Sequence, residues 1–307
     1  MKISKILMGA AALTGALILG GCRQNEDEHG ILNIKGDTAS IDYTNEDTIT
    51  YRGFNTLRTK HTDAVAVVSI DTNKAKAEDG DKAGVFGFLF DLQKNSDKKN
   101  TAGESKQSYD FSTVAIRYYD GELGAYVSRY TGVCPEYMDG GNNFNDVDNK
   151  EIGTKGSVGT EVSYLKGTPF TKSNAYARLE SVTPIDGIVK VAIKVTADTE
   201  NGKYTVTFYD GNTAIQEKSE TAEDGTTVKT GDIASDATKL SFTGTGKTGL
   251  SSNTVTLPSV GWKAGASSAK AQTEMGFYAA VYPKATLVGE IKLPYILNEG
   301  EVAEWYE

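Results

Sequence analysis

Carboxylate and amide side chains are concentrated between residues 139 and 151, in the segment DGGNNFNDVDNKE. Calcium takes about six to eight hard oxygen ligands from flexible segments, so Asp139, Asn145, Asp146, Asp148 and Glu151 form a candidate calcium site. The spacing does not match an EF-hand loop, and Asn, Asp and Gly are also the common residues of turns. A calcium site and a solvated loop are therefore both open.

A second group of residues combines aromatic rings with charged groups. Sugar rings pack their C–H faces on aromatic side chains, and their hydroxyl groups need polar partners. Arg117, Tyr119, Glu122, Tyr126 and Tyr130 supply this mixture, which predicts a carbohydrate-binding surface. The alternative is that these tyrosines are only good strand formers on a half-exposed sheet.

The element that would position these side chains is a β-hairpin closed at Asp120 and Gly121. An Asp-Gly pair between alternating runs specifies a two-residue turn, which aligns Tyr119 with Glu122. Cross-strand partners share a face, so one face is apolar and holds Val114, Ile116, Tyr118, Leu123, Ala125 and Val127. The opposite face is amphipathic and holds Phe111, Arg117, Tyr119, Glu122, Tyr126, Ser128 and Tyr130.

The same rule predicts a second hairpin, closed at Asp210 and Gly211. It would pair Val206 with Ile215 and Phe208 with Thr213. Long polar segments at 93–108, 139–158 and 219–237 are predicted to be surface loops between strands.

Short β-branched or aromatic runs recur between turn signals over the rest of the chain. They lie at 64–70, 84–92, 112–119, 124–130, 176–182, 188–195, 204–209, 239–242, 253–257, 275–282 and 286–293. No window has a sustained apolar stripe with the period of a helix. The sequence therefore predicts an all-β fold, a large antiparallel β-sandwich or jelly roll with little helix.

Composition divides the chain into four segments. Residues 1–21 form a leader, 22–48 a polar tether, 49–293 a single β-sandwich domain and 294–307 an acidic C-terminal tail. No low-complexity linker interrupts the predicted domain, so one domain is the better count.

The leader begins with Lys2 and Lys5, continues through an uncharged stretch at 6–19 and ends in small residues. This order is typical of a secretory signal, and the stretch is shorter than the roughly 20 apolar residues of a membrane-spanning helix. The segment LGGC (19–22) resembles the lipobox of bacterial lipoproteins. The resemblance implies cleavage before Cys22 and lipid on its thiol. It also implies a location outside the cytoplasm. We expect the outer membrane or cell surface rather than the inner membrane, but the residues beside Cys22 do not select between them.

Composition excludes several classes of function. The formal net charge is −9, which argues against nucleic acid as a partner because Lys and Arg supply most of the affinity for phosphate backbones. His29 and His61 are the only histidines, which leaves little material for a zinc site or a Ser-His-Asp triad. Once Cys22 carries lipid, Cys134 has no partner for an internal disulfide.

Three runs resemble, in texture and order, strands of the concanavalin A-like lectin and glucanase sandwiches: GVFGFLFDL (84–92), YTVTFYDGN (204–212) and MGFYAAVYPKATLVGEIKL (275–293). The segment from Asp146 to Glu151 approximates the E-x-D-x-x-E motif of laminarinase-like glycosidases in that superfamily. The resemblance implies Asp146 as nucleophile, Asp148 as assisting acid and Glu151 as acid/base of a retaining mechanism. The sequence departs from the motif by an Asp in the first position.

The first functional expectation is a membrane-anchored, non-catalytic binding module for carbohydrate or for an external protein partner, with calcium as the one cofactor to consider. The second is a degenerate glucanase-like hydrolase. The third is a structural or antigenic surface lipoprotein that binds no small ligand.

Overall fold

The computed structural model describes residues 31–35, 38–46, 51–61, 63–77, 82–94, 98–99, 105–106, 109–119, 121–133, 160–163, 177–179, 182–221, 227–243, 254–266 and 273–292. These residues form β-strands and turns, and they contain no α-helix. Accordingly, none of them belongs to a helix long and apolar enough to cross a membrane. The predicted all-β class is confirmed.

The strands are numbered in chain order. The first half contains β1 (Asn33–Lys35), β2 (Thr38–Asn45), β3 (Tyr51–His61), β4 (Ala64–Asp71), β5 (Lys76–Ala77), β6 (Lys82–Lys94), β7 (Lys98–Lys99), β8 (Ser105–Lys106), β9 (Tyr109–Tyr119) and β10 (Glu122–Val133). The second half contains β11 (Thr160–Ser163), β12 (Ala177–Leu179), β13 (Ile188–Asp198), β14 (Lys203–Asp210), β15 (Ile215–Thr221), β16 (Thr227–Ile233), β17 (Phe242–Thr243), β18 (Thr254–Pro258), β19 (Thr273–Val281) and β20 (Ala285–Lys292).

Two large antiparallel sheets contain most of these strands. Sheet A has the order β1-β2-β20-β4-β13-β14-β18, and β5 also pairs with β20. Sheet B has the order β17-β12-β10-β9-β6-β19-β3, and β11 also pairs with β10. The two C-terminal strands lie inside the sheets, with β19 between β3 and β6 and β20 between β2 and β4. The connection between them therefore crosses from sheet B to sheet A.

The sheets pack face to face around one apolar core, which forms the predicted antiparallel sandwich. Side chains from both sheets, from Ile31 to Ile291, belong to one buried cluster. Glycines at the contact allow close approach: a Cβ added at Gly84 of sheet B would lie 3.0 Å from Leu287 Cδ2 of sheet A. A Cβ added at Gly289 of sheet A would lie 3.1 Å from Phe86 Cδ1 of sheet B.

The sequence pattern differs between the sheets because their burial differs. In β4 of sheet A, buried residues alternate with half-buried ones from Ala66 to Asp71. In β6 of sheet B every residue from Ala83 to Leu92 is buried, and so is every residue from Met275 to Val281 in β19. Strands buried on both faces have continuous apolar sequences, which accounts for the runs GVFGFLFDL and MGFYAAVY.

The expected polar tether at 22–48 is too long. Strands β1 and β2 belong to sheet A, and Ile31, Leu32, Ile34, Ala39 and Ile41 are buried in the core. Isolated apolar residues in a polar segment were not enough to indicate β1 and β2. The strand that β2 pairs with, β20, is almost the whole chain length away.

The predicted hairpin at Asp210 and Gly211 is wrong. Val206 pairs with Val195 on one side and Val255 on the other, and Phe208 pairs with Ile193. The other edge at Phe208 is taken by the backbone N–H of Leu240, which donates to the Phe208 carbonyl. With both edges of β14 occupied, β15 cannot pair with it.

Strand β15 instead pairs with β16, so part of the expected loop at 219–237 is a second two-stranded sheet. This pair folds back on sheet A, where Ile215 and Ile233 pack against Ala192 and Tyr209. A salt bridge of 2.7 Å between Lys194 Nζ and Asp232 Oδ1 also joins them. In the expected loop at 93–108, β7 pairs with β8.

A methyl group at Gly84 should destabilise the sandwich. In Gly84→Ala the new Cβ would lie 2.2 Å from the carbonyl oxygen of Ala280 in the neighbouring strand, so we expect the free energy of unfolding to fall by about 1–3 kcal/mol. Gly121→Ala is the comparison: among the described residues other than its chain neighbours, no atom lies within 4 Å of its Cβ position, and the left-handed φ alone should cost about 1 kcal/mol. Urea unfolding measures both. Wild-type stability of Gly84→Ala would contradict the close packing.

Candidate functional site

The hairpin of β9 and β10 has the predicted register. Tyr119 pairs with Glu122 and Tyr118 with Leu123, and the remaining pairs follow in step to Phe111 and Tyr130. Gly121 has a φ of 74°, the left-handed conformation that its two-residue turn requires.

The hairpin presents its two faces to different surroundings, as predicted. Phe86 faces sheet A and pairs with Ile116, which in turn pairs with Ala125. Since paired residues share a face, the apolar side of the hairpin lies in the core between the sheets. The alternate residues lie on the other side of sheet B. We call this second side the arginine–tyrosine face; its residues include Phe111, Thr113, Arg117, Tyr126, Ser128, Tyr130 and Tyr278.

The tyrosines of this face form one connected group. Tyr126, Ala115, Gly87 and Tyr278 are successive cross-strand neighbours in four adjacent strands. The two central residues are small, so the rings of Tyr126 and Tyr278 lean over them and stack with centroids 6.4 Å apart and planes at 17°. Tyr130 hydrogen-bonds through its hydroxyl to the hydroxyl of Tyr126, and its ring lies 6.3 Å from that of Tyr278.

This face is buried, which corrects the expectation of a half-exposed surface. Arg117 is 1% exposed, Tyr126 3% and Tyr130 0%. Apolar neighbours on the same face, such as Val85 and Leu89, have 0% exposure as well, so the central strands of sheet B are buried on both faces. The two other predicted residues lie at the turn: Glu122 is half-buried, and Tyr119 is described only through its backbone pairing with Glu122.

Two hydroxyl groups in β9 are buried without a hydrogen-bond partner among the described residues, those of Ser112 and Thr113. They lie on opposite faces: Ser112 pairs with Phe90 and faces the core, whereas Thr113 pairs with Ser128 on the arginine–tyrosine face. Leaving a buried hydroxyl unsatisfied costs about 1–3 kcal/mol. Each of these hydroxyls therefore lowers the stability of the fold unless a group outside the described residues forms a hydrogen bond with it.

Sequence reasoning missed Thr113 and Tyr278. Strand alternation places Thr113 with the predicted residues once the register is known. Tyr278 belongs to β19, far along the chain, and its run MGFYAAVY contains no alternation that would indicate which face it occupies.

Sequence reasoning also missed a buried carboxylate that joins the two sheets. Asp91 lies at a bulge of β6 with a φ of 57° and has 0% exposure. It accepts hydrogen bonds from the Ser259 hydroxyl at 2.8 Å and from the backbone N–H groups of Val260 and Gly261 at 2.5 Å and 3.1 Å. This loop follows β18 of sheet A. A charged residue within the apolar run GVFGFLFDL was the available signal.

Asp91 has a structural role, because its buried carboxylate holds the loop after β18. Burial raises the pKa of Asp91 to about 7 from an ordinary 3.8, while the three hydrogen bonds and the charge of Arg129 lower it. The same loop is held by Trp262, whose indole N–H donates to the Tyr204 hydroxyl at 3.1 Å and whose ring packs edge-on to the Tyr204 ring with centroids 5.2 Å apart.

The other predicted site residues lie outside the described residues. These are the lipidation candidate Cys22, the calcium candidates Asp139, Asn145, Asp146, Asp148 and Glu151, and with them the catalytic trio. Within the ranges that the structure describes, no group of three or more His, Cys, Asp and Glu residues is arranged to hold a metal ion.

No protein-family model and no curated protein sequence matches this chain. Among solved structures, the chain is similar to an alginate lyase variant in complex with an alginate trisaccharide. The sequences are 10% identical, the alignment covers 84% of this chain and 83% of that one, and the TM-score is 0.25. A likeness at this level does not indicate a function.

The pKa of Asp91 generates a pH prediction. A group whose pKa is higher in the folded protein than in the unfolded chain stabilises the folded state most when protonated, so its contribution falls as pH rises from about 4 to about 7. Asp91→Asn does not titrate and should lack this decline. Urea unfolding of both proteins at several pH values in this interval isolates the contribution of Asp91 from that of other carboxylates. Parallel stability curves for wild type and Asp91→Asn would contradict the raised pKa.

Proposed function

We propose that this chain is a lipid-anchored extracytoplasmic binding module that receives a carbohydrate on its arginine–tyrosine face. The observation that supports the proposal is the composition of this face. A sandwich needs only the inner face of each sheet for its core, yet the second face of sheet B buries a guanidinium group, three tyrosines and the hydroxyls of Thr113 and Ser128.

These groups match the chemistry of a sugar ring. The stacked rings of Tyr126 and Tyr278 suit the apolar C–H face. The Arg117 guanidinium carries five N–H donors, and the hydroxyls of Thr113 and Ser128 both donate and accept. Buried polar groups strengthen recognition because a ligand that lacks the matching hydroxyl leaves them unsatisfied.

The burial of the face sets a condition on binding. Tyr126, Tyr130 and Arg117 have at most 3% of their surface exposed, so a ligand must displace the residues packed on this face to reach them. Association should then be slower than the roughly 10⁵ M⁻¹s⁻¹ at the lower end for preformed sites.

The same burial favours a second candidate function. If no ligand reaches this face, it serves only as a second packed layer of the fold. The protein is then a structural or antigenic surface lipoprotein without a small ligand. The hydrolase alternative has no comparable support among the described residues, because its carboxylates lie outside them.

The anchor is proposed from the sequence, through the leader and the LGGC segment at 19–22. Acyl chains contribute about 0.8 kcal/mol for each methylene group that they bury, and more than one chain is needed for stable attachment. A diacylglycerol group on Cys22 would meet this condition.

Thr113→Val tests the binding face. The substitution keeps the shape of the side chain and removes a hydroxyl without a described protein partner, so the fold should be as stable as wild type or more stable. Affinity for a sugar identified on a glycan array should fall about threefold to tenfold, the equivalent of one neutral hydrogen bond. Ser112→Ala is the matched control, because its buried hydroxyl faces the core and its loss should leave affinity unchanged. If the wild-type protein binds no glycan, or if the two variants bind alike, the proposal is wrong.

Cys22→Ser tests the anchor. The wild-type protein should partition into detergent and carry acyl mass on its N-terminal cysteine, whereas the variant should remain uncleaved or become soluble without that mass. Phase separation in a mild detergent and intact-mass spectrometry measure both. An unmodified Cys22 in the mature wild-type protein is the result that would rule out lipidation.

A further inference from the structure

A cavity of about 280 Å³ lies at the edge of sheet A, away from the arginine–tyrosine face. It is bounded by the end of β2, the short strand β5 and the start of β20. Its lining combines two lysines, one glutamate, hydroxyls and an amide: Thr44, Asn45, Glu46, Lys76, Ala77, Lys284 and Thr286.

The polar lining is arranged by the strand register. Thr44 pairs with Thr286, and Thr286 pairs with Lys76, so these three residues form one cross-strand row on the outer face of sheet A. The hydroxyls of Thr44 and Thr286 are 2.9 Å apart and hydrogen-bonded. Lys284 lies in the turn just before β20 and also lines the cavity.

The turn that carries Lys284 is held from within the core. Asn45 has 0% exposure, and its Nδ2 group donates to the carbonyls of Val281 and Tyr282 at 3.1 Å and 3.0 Å. These bonds tie the end of β2 to the connection between β19 and β20. The cavity therefore has a built framework and does not depend on surface side chains alone.

Lys284 occupies a backbone conformation that disfavours lysine. Its φ is 54°, in the left-handed region where glycine or asparagine is usual after a proline such as Pro283. Non-glycine residues held in this region are concentrated at functional sites. Asp91 and Asp186 have a similar φ, but of the three only Lys284 lines this cavity.

The charges of the cavity favour an anion. In the described part of the chain, neither Lys76 nor Lys284 forms an ion pair. Glu46 is the single acid of the lining, which leaves an excess of one positive charge in a protein whose formal net charge is −9. Because one threonine hydroxyl donates to the other, the donors available to a small oxyanion are two ammonium groups and one hydroxyl.

We propose that this cavity binds a small oxyanion, a carboxylate, sulfate or phosphate group, held by Lys76 and Lys284 with one hydrogen bond from whichever of the Thr44 and Thr286 hydroxyls does not donate to the other. The proposal is independent of carbohydrate binding on sheet B. The oxyanion is either a free inorganic ion or the acidic group of a sugar, and both carry the same chemistry to these four residues.

Calorimetric titration of the full chain with sodium sulfate, sodium phosphate and sodium glucuronate, at constant ionic strength in chloride, tests the site. Wild type should bind at least one of these ions; preference for glucuronate would identify the acidic sugar as the source, and preference for sulfate or phosphate the free ion. Lys284→Gly should weaken binding at least tenfold while its melting temperature stays equal or rises, because glycine relieves the left-handed strain. If Lys284 had only a structural role, its replacement would not weaken binding while leaving the melting temperature equal or higher.

Lys292→Ala is the matched control, since it removes the same charge from the other end of β20, outside the cavity. It should bind as wild type does. Lys76→Ala should weaken binding as Lys284→Gly does. Absence of binding by wild type, equal binding by wild type and Lys284→Gly, or equal weakening in Lys292→Ala would each overturn the proposal.

Discussion

Burial of sheet B on both faces is the constraint on which the rest of the molecule depends. One face packs against sheet A through Phe86 and its neighbours, and the other buries Tyr126, Tyr130 and Tyr278. The second face must therefore satisfy its polar groups internally or through a ligand, because water does not reach them. The buried charge of Arg117 on this face is what distinguishes it from an ordinary apolar layer.

The connections between the sheets are the second place where polar groups are buried. Asp91 holds the loop after β18 against sheet B, and Asn45 holds the connection between β19 and β20 against sheet A. In each case a side chain supplies hydrogen bonds to backbone groups that have left a sheet ladder, as buried backbone groups require. The Lys284 cavity is a consequence of one such crossing.

Asp-Gly pairs illustrate the reach and the limit of local rules. The pair at 120–121 closes a hairpin as expected, and the pair at 186–187 makes a two-residue turn with φ values of 52° and 80°. The pair at 210–211 does not close a hairpin between β14 and β15, because both edges of β14 are occupied by other segments. A local preference predicts a turn, but whether the two flanking strands pair depends on competition from distant strands.

The sequence by itself determined the all-β class, most strand positions and the register of the first hairpin, because alternation and turn chemistry act over a few residues. It also determined which residues of this hairpin share a face with Arg117. Only the tertiary structure decided that this face is buried, that Tyr278 joins it and that β2 lies beside β20. These outcomes depend on contacts between residues far apart in the chain, and the preferences of neighbouring residues carry no information about which distant strand will cover them.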